Sequence, residues 1–380
     1  MLAKRSSRGL AVAAILATAS LGWPAATPAA AQSNGQSGPT YWVYVANESS
    51  DLVSRVRFSD GVAVEETTFE VGYHPADIDG AHGITVSPGG EYLYVSIAHG
   101  QPFGQIWKLD AASGRLVDST TVGLFPATMA ISPDGSMLYV VNFNLHGDPI
   151  PSTVSPVFTP FMEEFEPVET CVRPHGSRFS VDGTRHYSGC LLSDQLVEIS
   201  TEIPEVARRL RLTSGHEGLV SGDHNASVIP AAGACRPTWI AVAPDDEHLY
   251  VTCNARSEVL EIDAASLSIR RRFPTGRGPY NADVTPDGTH LVVTLKGDQA
   301  IAIFDLATGE ETRVATSRPV THGIVVSPDS RYAFVSNEAV GATRGTVDVI
   351  DIAAGKLVAS VDVQYQPGGI GFWKMEGGGL

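Results

Sequence analysis

The sequence predicts an all-β fold, a seven-bladed β-propeller with four antiparallel strands in each blade. Three observations support this prediction. A hairpin unit recurs along the chain, its two strands alternate apolar and polar residues, and no stretch of useful length has a helical period. Four antiparallel strands in a repeat of roughly 40–50 residues are typical of a propeller blade.

Each hairpin consists of a strand, a turn that resembles Pro-Asp-Gly, and a returning strand. A third strand follows, such as QIWKLD (105–110), and then a fourth, such as RLVDSTTVG (115–123). The six hairpins are ITVSPGGEYLYVS (84–96), MAISPDGSMLYVV (129–141), SRFSVDGTRHYSG (177–189), IAVAPDDEHLYVT (240–252), ADVTPDGTHLVVT (282–294) and IVVSPDSRYAFVS (324–336). Their anchor residues, one in each turn, are Ser87, Ser132, Ser180, Ala243, Thr285 and Ser327.

The two ends of the chain predict the seventh blade. PGGIGFWKM (367–375) has the pattern of a first strand, and WVYVAN (42–47), LVSRVRF (52–58) and ETTFEVG (66–72) supply the other three. Pairing of the N-terminal strands with the C-terminal strand would close the ring and remove its open edges. The alternative is a six-bladed ring with a separate N-terminal sheet.

The N-terminus predicts export to the periplasm or the medium. Basic residues precede an apolar run at 9–22, and an A-x-A signal ends near residue 31, as in a signal peptide. The apolar run is short for a membrane span, although an uncleaved anchor is the alternative. We expect a signal peptide at 1–31, a flexible leader at 32–40 and one propeller domain at 41–376. The expected blades are 81–123, 126–170, 174–213, 237–276, 279–317, 320–364, and 367–376 with 41–72.

Composition argues against nucleic acid as a partner. Without the predicted signal peptide the chain has 23 Lys and Arg against 42 Asp and Glu, a net charge of −19. Such an acidic surface repels phosphate backbones. The expected partner is a small molecule or a protein at the channel face, and the expected state is a monomer without a membrane span.

The second strands carry a short motif that resembles the YVTN-type, or YncE-like, propeller repeat. They read YVAN (44–47), YVSI (94–97), YVVN (139–142), YSGC (187–190), YVTC (250–253), VVTL (292–295) and FVSN (334–337). The resemblance implies the propeller fold for nearly the whole mature chain. Proteins of this type include surface-layer proteins, lactonase-like proteins, and propellers that hold copper or haem in the channel. Ile97, Cys190, Cys253 and Leu295 depart from the motif's final Asn.

Blade geometry predicts which residues surround one mouth of the channel. The residue five before each anchor should lie there, opposite the residue ten after the anchor. These positions hold His82, Ala127, His175, Thr238, Tyr280, His322 and, in the split blade, Gly368. We therefore expect a ligand site formed by His82, His175, Thr238, Tyr280 and His322.

Three of these residues are candidate metal ligands. Imidazole binds copper, zinc and iron, so His82, His175 and His322 could hold copper or another transition metal. A non-metal small-molecule site and a purely structural role are the alternatives. The same face is expected to hold His74, His99, His146, His216 and His224, whereas His186, His248 and His290 follow the turns at the other end.

The cysteines favour disulfides, which an exported protein can form. The four residues are Cys171, Cys190, Cys235 and Cys253. One pairing joins 171 to 190 and 235 to 253, and another joins 190 to 235 across two blades. A thiolate ligand is the alternative, with Cys190 expected opposite His175.

Two loops and several carboxylates complete the predicted histidine face. Residues 143–164 and 213–236 break the repeat, and long loops in compact folds often carry function. The carboxylates are Asp77, Asp79, Asp148 and Glu217. No nucleophile elbow, phosphate loop or haem-attachment motif is present. The sequence therefore predicts an exported binding or scaffold module, with a copper-type oxidoreductase and a lactonase-like hydrolase as alternatives.

Overall fold

A computed structural model describes residues 38–74, 76–99, 103–220 and 227–377. These residues form β-strands, turns and loops and include no helix, and the strands make seven antiparallel sheets arranged as blades in a ring. The predicted seven-bladed β-propeller is therefore confirmed.

The split blade joins the two ends of the described chain, in the order β3-β2-β1-β30. Its strands are β1 (Thr40–Asn47), β2 (Leu52–Ser59), β3 (Val62–Glu70) and β30 (Pro367–Glu376). Strand β30 lies innermost and pairs antiparallel with β1.

Blades 1 to 3 follow along the chain. Blade 1 contains β4 (Ala81–Val86), β5 (Tyr92–Ile97), β6 (Gln105–Asp110) and β7 (Leu116–Thr121). Blade 2 contains β8 (Pro126–Ile131), β9 (Met137–Asn142), β10 (Pro151–Phe158), β11 (Glu163–Glu164) and β12 (Val168–Val172). Blade 3 contains β13 (Arg178–Phe179), β14 (Arg185–Cys190), β15 (Gln195–Ser200), β16 (Glu205–Arg211) and β17 (Gly218–Leu219).

Blades 4 to 6 have four strands each. Blade 4 contains β18 (Pro237–Val242), β19 (His248–Cys253), β20 (Glu258–Asp263) and β21 (Ser268–Pro274). Blade 5 contains β22 (Pro279–Val284), β23 (His290–Leu295), β24 (Ala300–Asp305) and β25 (Glu311–Ala315). Blade 6 contains β26 (Val320–Val326), β27 (Tyr332–Glu338), β28 (Thr346–Asp351) and β29 (Lys356–Asp362).

The anchor hydroxyls hold the turns between the first two strands of a blade. Thr285 donates from Oγ1 to the Asp287 carboxylate at 2.6 Å, and Ser327 donates to Asp329 at 2.6 Å. The same aspartate then accepts from the backbone N–H two residues later, as Asp287 does from Thr289. This local bonding explains why a Ser/Thr-x-Asp pattern marks the hairpins of blades 2, 3, 5 and 6.

The register of the first hairpins differs by one residue from the expectation. In blade 1 Ala81, six residues before the anchor, pairs with Ile97, and in blade 6 Thr321 pairs with Asn337. The residue ten after the anchor was expected to pair with the residue five before it, and this expectation was wrong. Each of these inner strands has a bulge or irregularity just after the observed pair, which shifts the register by one residue. A bulge takes a residue out of the ladder and redirects its side chain, here His82 or His322.

Hydroxyls of the YVTN-like motif satisfy the backbone at these bulges. The N–H of Asn281 donates to Thr294 Oγ1 at 2.9 Å, and that of Gly323 donates to Ser336 Oγ at 2.9 Å. The same Thr294 hydroxyl contacts the carbonyl of His322 in the next blade at 2.9 Å. The motif therefore stabilises the strand irregularity at the channel mouth and links adjacent blades.

Glycine follows two of the channel histidines because neighbouring backbones lie too close for a side chain. A Cβ at Gly83 would lie 2.6 Å from the carbonyl oxygen of Ala127, and one at Gly323 would lie 2.6 Å from that of Gly368. The His-Gly pairs thus allow tight packing of the inner strands.

All four cysteines are oxidised. Cys171, in β12 of blade 2, bonds to Cys190, in β14 of blade 3, so this bridge joins two blades. Cys235, just before β18, bonds to Cys253 in β19, so the second bridge lies within blade 4. The disulfide prediction is confirmed with the symmetric pairing, and these sulfurs form no thiolate site. Cys190 forms its backbone bridge with Pro174 and not with His175, which corrects the expected neighbour by the same one-residue shift.

The interpretation of residues 143–164 as one loop on the histidine face was wrong. Residues 151–158 are strand β10, which pairs with β9 in the middle of the blade 2 sheet. The turn after β10 lies at the opposite end, where Thr159 donates to the carbonyl of Gly135 at 2.6 Å. The repeat hid this strand because β10 contains two prolines and lacks the regular alternation of the other third strands.

The predicted signal peptide and most of the predicted leader lie outside the described residues. In the parts of the chain that the structure does describe, no helix is long and apolar enough to cross a membrane.

Candidate functional site

The inner strands enclose a cavity of ≈ 490 Å³ along the channel. All seven blades contribute to its wall, which includes residues of β4, β8, β22, β26 and β30. Much of the wall is apolar, with Ile84, Met129, Ile324 and Phe372 among its members. Volumes of 300–1,000 Å³ with few polar groups are typical of small-molecule sites.

Aromatic rings surround one mouth of this cavity, and Tyr280 lies between two of the predicted histidines. Its ring centroid is 5.4 Å from that of His175 and 4.6 Å from that of His322. The His322 ring is in turn 6.2 Å from His82. The structure therefore brings together the rings of His82, His175, Tyr280 and His322, four of the five residues predicted for the ligand site, and the fifth, Thr238, contacts two of them.

Hydrogen bonds fix the tautomer of His175. Its Nδ1 lies 2.8 Å from the carbonyl oxygen of Thr238, which can only accept, so Nδ1 carries the proton. Its Nε2 therefore accepts from the Tyr280 hydroxyl at 3.0 Å. Burial lowers the pKa of His175 to about 3, and burial raises the pKa of Tyr280. Both groups are neutral at physiological pH.

Thr238 acts through its backbone and not as a channel-facing hydroxyl. Its side chain is buried and contacts Thr252 Oγ1 at 2.9 Å and the carbonyl of Tyr280 at 2.7 Å. The Thr238 side chain does not line the cavity, so its predicted role in ligand binding stays a prediction. The residue instead positions His175 and Tyr280.

A chain of polar contacts runs from the channel to the loop surface through Glu48. His82 Nδ1 donates to Glu48 Oε2 at 3.0 Å, and His99 Nε2 donates to Oε1 at 2.6 Å. His146 Nε2 lies 3.2 Å from His99 Nδ1 and extends the chain of contacts toward the loop surface. Gln366 also donates to Glu48, at 3.0 Å.

Glu48 is ionised although it is 8% exposed. Burial alone would raise its pKa, but the charge and hydrogen bonds of His82 and His99 outweigh burial and hold the pKa of Glu48 below its usual range. A buried carboxylate therefore fixes the orientation of two imidazoles at the mouth.

A second charged pair lies beside Tyr280. Lys296 Nζ is 3.2 Å from Glu338 Oε1 and 4.4 Å from the centroid of the Tyr280 ring. Glu338 Oε1 also lies 3.4 Å from His322 Nε2. Burial, followed by the positive charge of Lys296, lowers the pKa of His322 well below its usual value.

Sequence reasoning missed these charged residues, although a signal was present. Glu48, Lys296 and Glu338 each follow the YVTN-like motif directly, at the same repeat position. The motif ends one residue earlier, at the position of its final Asn, so these charges stand just outside it. Charges confined to the split blade and blades 5 and 6 mark the side of the mouth that holds His82 and His322.

Deeper in the channel, Arg178 lines the cavity and has no ion pair among the described residues. Its guanidinium lies 4.6 Å over the Trp239 ring and donates to the carbonyl of Ser177 at 2.8 Å. Asp283 attracts Arg178 electrostatically, and the N–H of Val326 donates to its carboxylate at 3.0 Å. Burial lowers the pKa of Arg178 and raises that of Asp283.

Three further side chains of the cavity wall have a buried polar atom without a partner. Among the described residues, Trp239 Nε1, Asn281 Oδ1 and His322 Nδ1 make no hydrogen bond. Each residue is at most 9% exposed, and all three line the same cavity as Arg178. An unpaired buried polar atom costs about 1–3 kcal/mol, so the cavity wall offers three polar atoms that a bound molecule or water could satisfy.

The three predicted metal ligands do not form a ready set of ligands in this structure. His175 uses both ring nitrogens, and His82 uses Nδ1 for Glu48. Within the described ranges no three His, Cys, Asp or Glu side chains are grouped as a metal site. Metal binding by His82, His175 and His322 stays a prediction.

The other predicted polar residues are spread over the loop face. Asp79 is buried and pairs with the exposed His74 at 2.7 Å, and Glu217 pairs with Arg272 at 2.8 Å. Asp77, Asp148 and His216 are exposed, and His224 lies outside the described residues. The structure therefore shows no convergent set among the four candidate carboxylates.

Comparisons with known proteins support the fold. No protein-family model matches the chain, and no curated protein matches its sequence. Hydrazine synthase from Kuenenia stuttgartiensis is similar over 74% of this chain and 80% of its own, with 21% identity and a TM-score of 0.56. A putative 6-phosphogluconolactonase from Bacteroides uniformis ATCC 8492 covers 87% of this chain and 99% of its own, with 16% identity and a TM-score of 0.62. A functionally unknown protein from Desulfotomaculum acetoxidans DSM 771 covers 87% and 98%, with 13% identity and a TM-score of 0.65.

Proposed function

We propose that this chain is an exported propeller of the YVTN type whose channel binds a small molecule. The observation that carries the proposal is the cavity of ≈ 490 Å³, whose largely apolar wall includes His82, His175 and His322, with the Tyr280 ring packed between the last two. Tyr280, whose hydroxyl donates to His175, and His322, whose Nδ1 has no partner among the described residues, could orient a ligand there by hydrogen bonds. Two disulfides agree with export, since they persist in oxidising compartments.

The test is a binding screen against a variant with a blocked channel. Gly371 lines the cavity, and a Cβ there would lie 3.7 Å from side-chain carbons of Ile84 and Val86, an ordinary contact distance. Gly371→Leu therefore adds volume inside the channel with little strain. We expect a library of small organic molecules to contain compounds that raise the Tm of the wild-type protein but not that of Gly371→Leu.

A matched control separates a blocked channel from a weakened fold. Gly288→Ala places a methyl group where nothing lies within 4 Å, at a turn outside the cavity, although its positive φ introduces strain. The same compounds should raise the Tm of this variant, even if its Tm without ligand is lower than that of wild type. Compounds that stabilise wild type and Gly371→Leu equally would place the binding elsewhere and overturn the proposal.

Two enzymatic alternatives have tests of their own. A copper-type oxidoreductase requires near-stoichiometric copper, zinc or iron in protein purified without chelator, lost in the His175→Ala/His322→Ala double variant. Absence of metal after reconstitution would exclude it. A lactonase-like hydrolase requires activity that falls on replacement of Asp77 or Asp148 while the histidines are unchanged.

A further inference from the structure

We propose that the channel ligand is a small organic carboxylate, held by the guanidinium of Arg178 with Trp239, Asn281 and His322 around it. This inference rests on the proposed function of the channel and specifies the chemistry of its ligand. It depends on four side chains from blades 3, 4, 5 and 6 that line one cavity.

The free hydrogen-bonding capacity at Arg178 favours an anion. A guanidinium has five N–H groups in a planar fork, and the described residues engage it through Ser177 alone. The stacked Trp239 adds an indole N–H without a partner. Donors therefore exceed acceptors at this side of the cavity, which suits a carboxylate that can accept two parallel hydrogen bonds.

The remaining polar atoms suit a second polar group on the same molecule. Asn281 Oδ1 and His322 Nδ1 have no hydrogen-bond partner within the described part of the chain, and they belong to the neighbouring blades 5 and 6. If His322 donates from Nε2 toward Glu338, which lies at 3.4 Å, its Nδ1 is an acceptor. A hydroxyl on the ligand could donate to either atom, while Ile84, Met129 and Ile324 contact its apolar body.

The experiment compares carboxylates with their neutral amides of nearly equal shape. The pairs are benzoate and benzamide, phenylacetate and phenylacetamide, and hexanoate and hexanamide, and phenyl phosphate serves as the dianion. Calorimetry and Tm shifts are measured on wild type, Arg178→Gln, Arg178→Lys, Gly371→Leu and Arg270→Gln. Arg270 is a surface residue with a 58% exposed side chain, so its variant controls for loss of one positive charge.

We expect carboxylates to bind wild type and Arg270→Gln more tightly than their amides. Loss of the guanidinium in Arg178→Gln should weaken carboxylate binding about tenfold to a hundredfold, the range for a charged hydrogen-bonded contact. Arg178→Lys keeps the charge and should retain part of the affinity, which separates recognition from a folding defect. Gly371→Leu should remove binding of the whole series.

The outcomes distinguish the two proposals. The carboxylate inference would be wrong if amides bound as tightly as carboxylates and Arg178→Gln did not weaken their binding. If Gly371→Leu still abolished that binding, the proposed channel site would be retained. Tighter binding of phenyl phosphate than of benzoate would likewise overturn the carboxylate inference. No binding of any pair, or binding that Gly371→Leu leaves unchanged, would overturn the inference together with the proposed site for these compounds.

Discussion

Acid should destabilise this propeller through its buried neutral histidines. His175 and His186 are at most 4% exposed, and burial lowers the pKa of each to about 3. In the unfolded chain an imidazole has a pKa near 6.5. Between the folded pKa of about 3 and the unfolded pKa of about 6.5, the unfolded state binds protons that the folded state does not bind. The free energy of unfolding therefore falls as the pH falls.

The magnitude follows from the two pKa values. The unfolded imidazole, with a pKa near 6.5, is protonated at pH 5, about 1.5 units below that pKa, whereas the folded imidazole is still neutral. This difference lowers the free energy of unfolding by about 2 kcal/mol for each histidine. The two together remove about 4 kcal/mol between pH 7.5 and pH 5, a large part of a typical stability of about 5–15 kcal/mol. His322, whose pKa burial also lowers, acts in the same direction.

The assay is urea unfolding at intervals from pH 7.5 to pH 5, compared with a His175→Gln variant. Gln retains an amide that can donate to the Thr238 carbonyl, and it carries no titrating group. The variant should lose about 2 kcal/mol less than wild type over this range. The core variant Val293→Ala removes no titrating group. Its free energy of unfolding should be lower than that of wild type by a constant amount at every pH. Equal pH slopes for wild type and His175→Gln would refute the reasoning.

Three other perturbations follow from the same contacts. Glu48→Gln replaces a carboxylate that accepts from His82, His99 and Gln366, so it should lower the free energy of unfolding by about 1–3 kcal/mol in urea; an unchanged value would show that the network is dispensable. Tyr280→Phe leaves His175 Nε2 without its 3.0 Å donor and should cost about 1 kcal/mol, whereas a gain in stability at pH 7 would contradict the assigned tautomer. The Cys171→Ser/Cys190→Ser double variant should unfold about 2–4 kcal/mol more easily than wild type under oxidising conditions, and most of the difference should disappear when both proteins are measured with a reductant that opens every disulfide.

The fold could be predicted from the sequence because its determinants are local. All six hairpins show alternating strands around a tight turn, and in four of them the turn is held by its own hydroxyl and aspartate, such as Thr285 with Asp287. Because the hairpin recurs, a weak signal in one blade does not change the prediction of the fold. Blade 2 shows the limit, since β10 lacks the alternation and its position depends on pairing with β9.

The site was only partly predictable because it depends on contacts between blades. Repeat position identified His82, His175, Tyr280 and His322 as neighbours at one mouth, and the structure brings them together. It could not assign Thr238 to a backbone role, because that depends on the carbonyl that His175 meets. Arg178 and Trp239 escaped notice, since their stacking joins residues 61 positions apart along the chain.

A crystal structure of the mature protein with the tightest-binding carboxylate of the series tests the central claim most directly. The account predicts the ligand inside the channel, with its carboxylate within hydrogen-bond distance of Arg178 and its apolar body against Ile84 and Ile324. A ligand bound outside the channel, with Arg178 instead paired to Asp283, would contradict it.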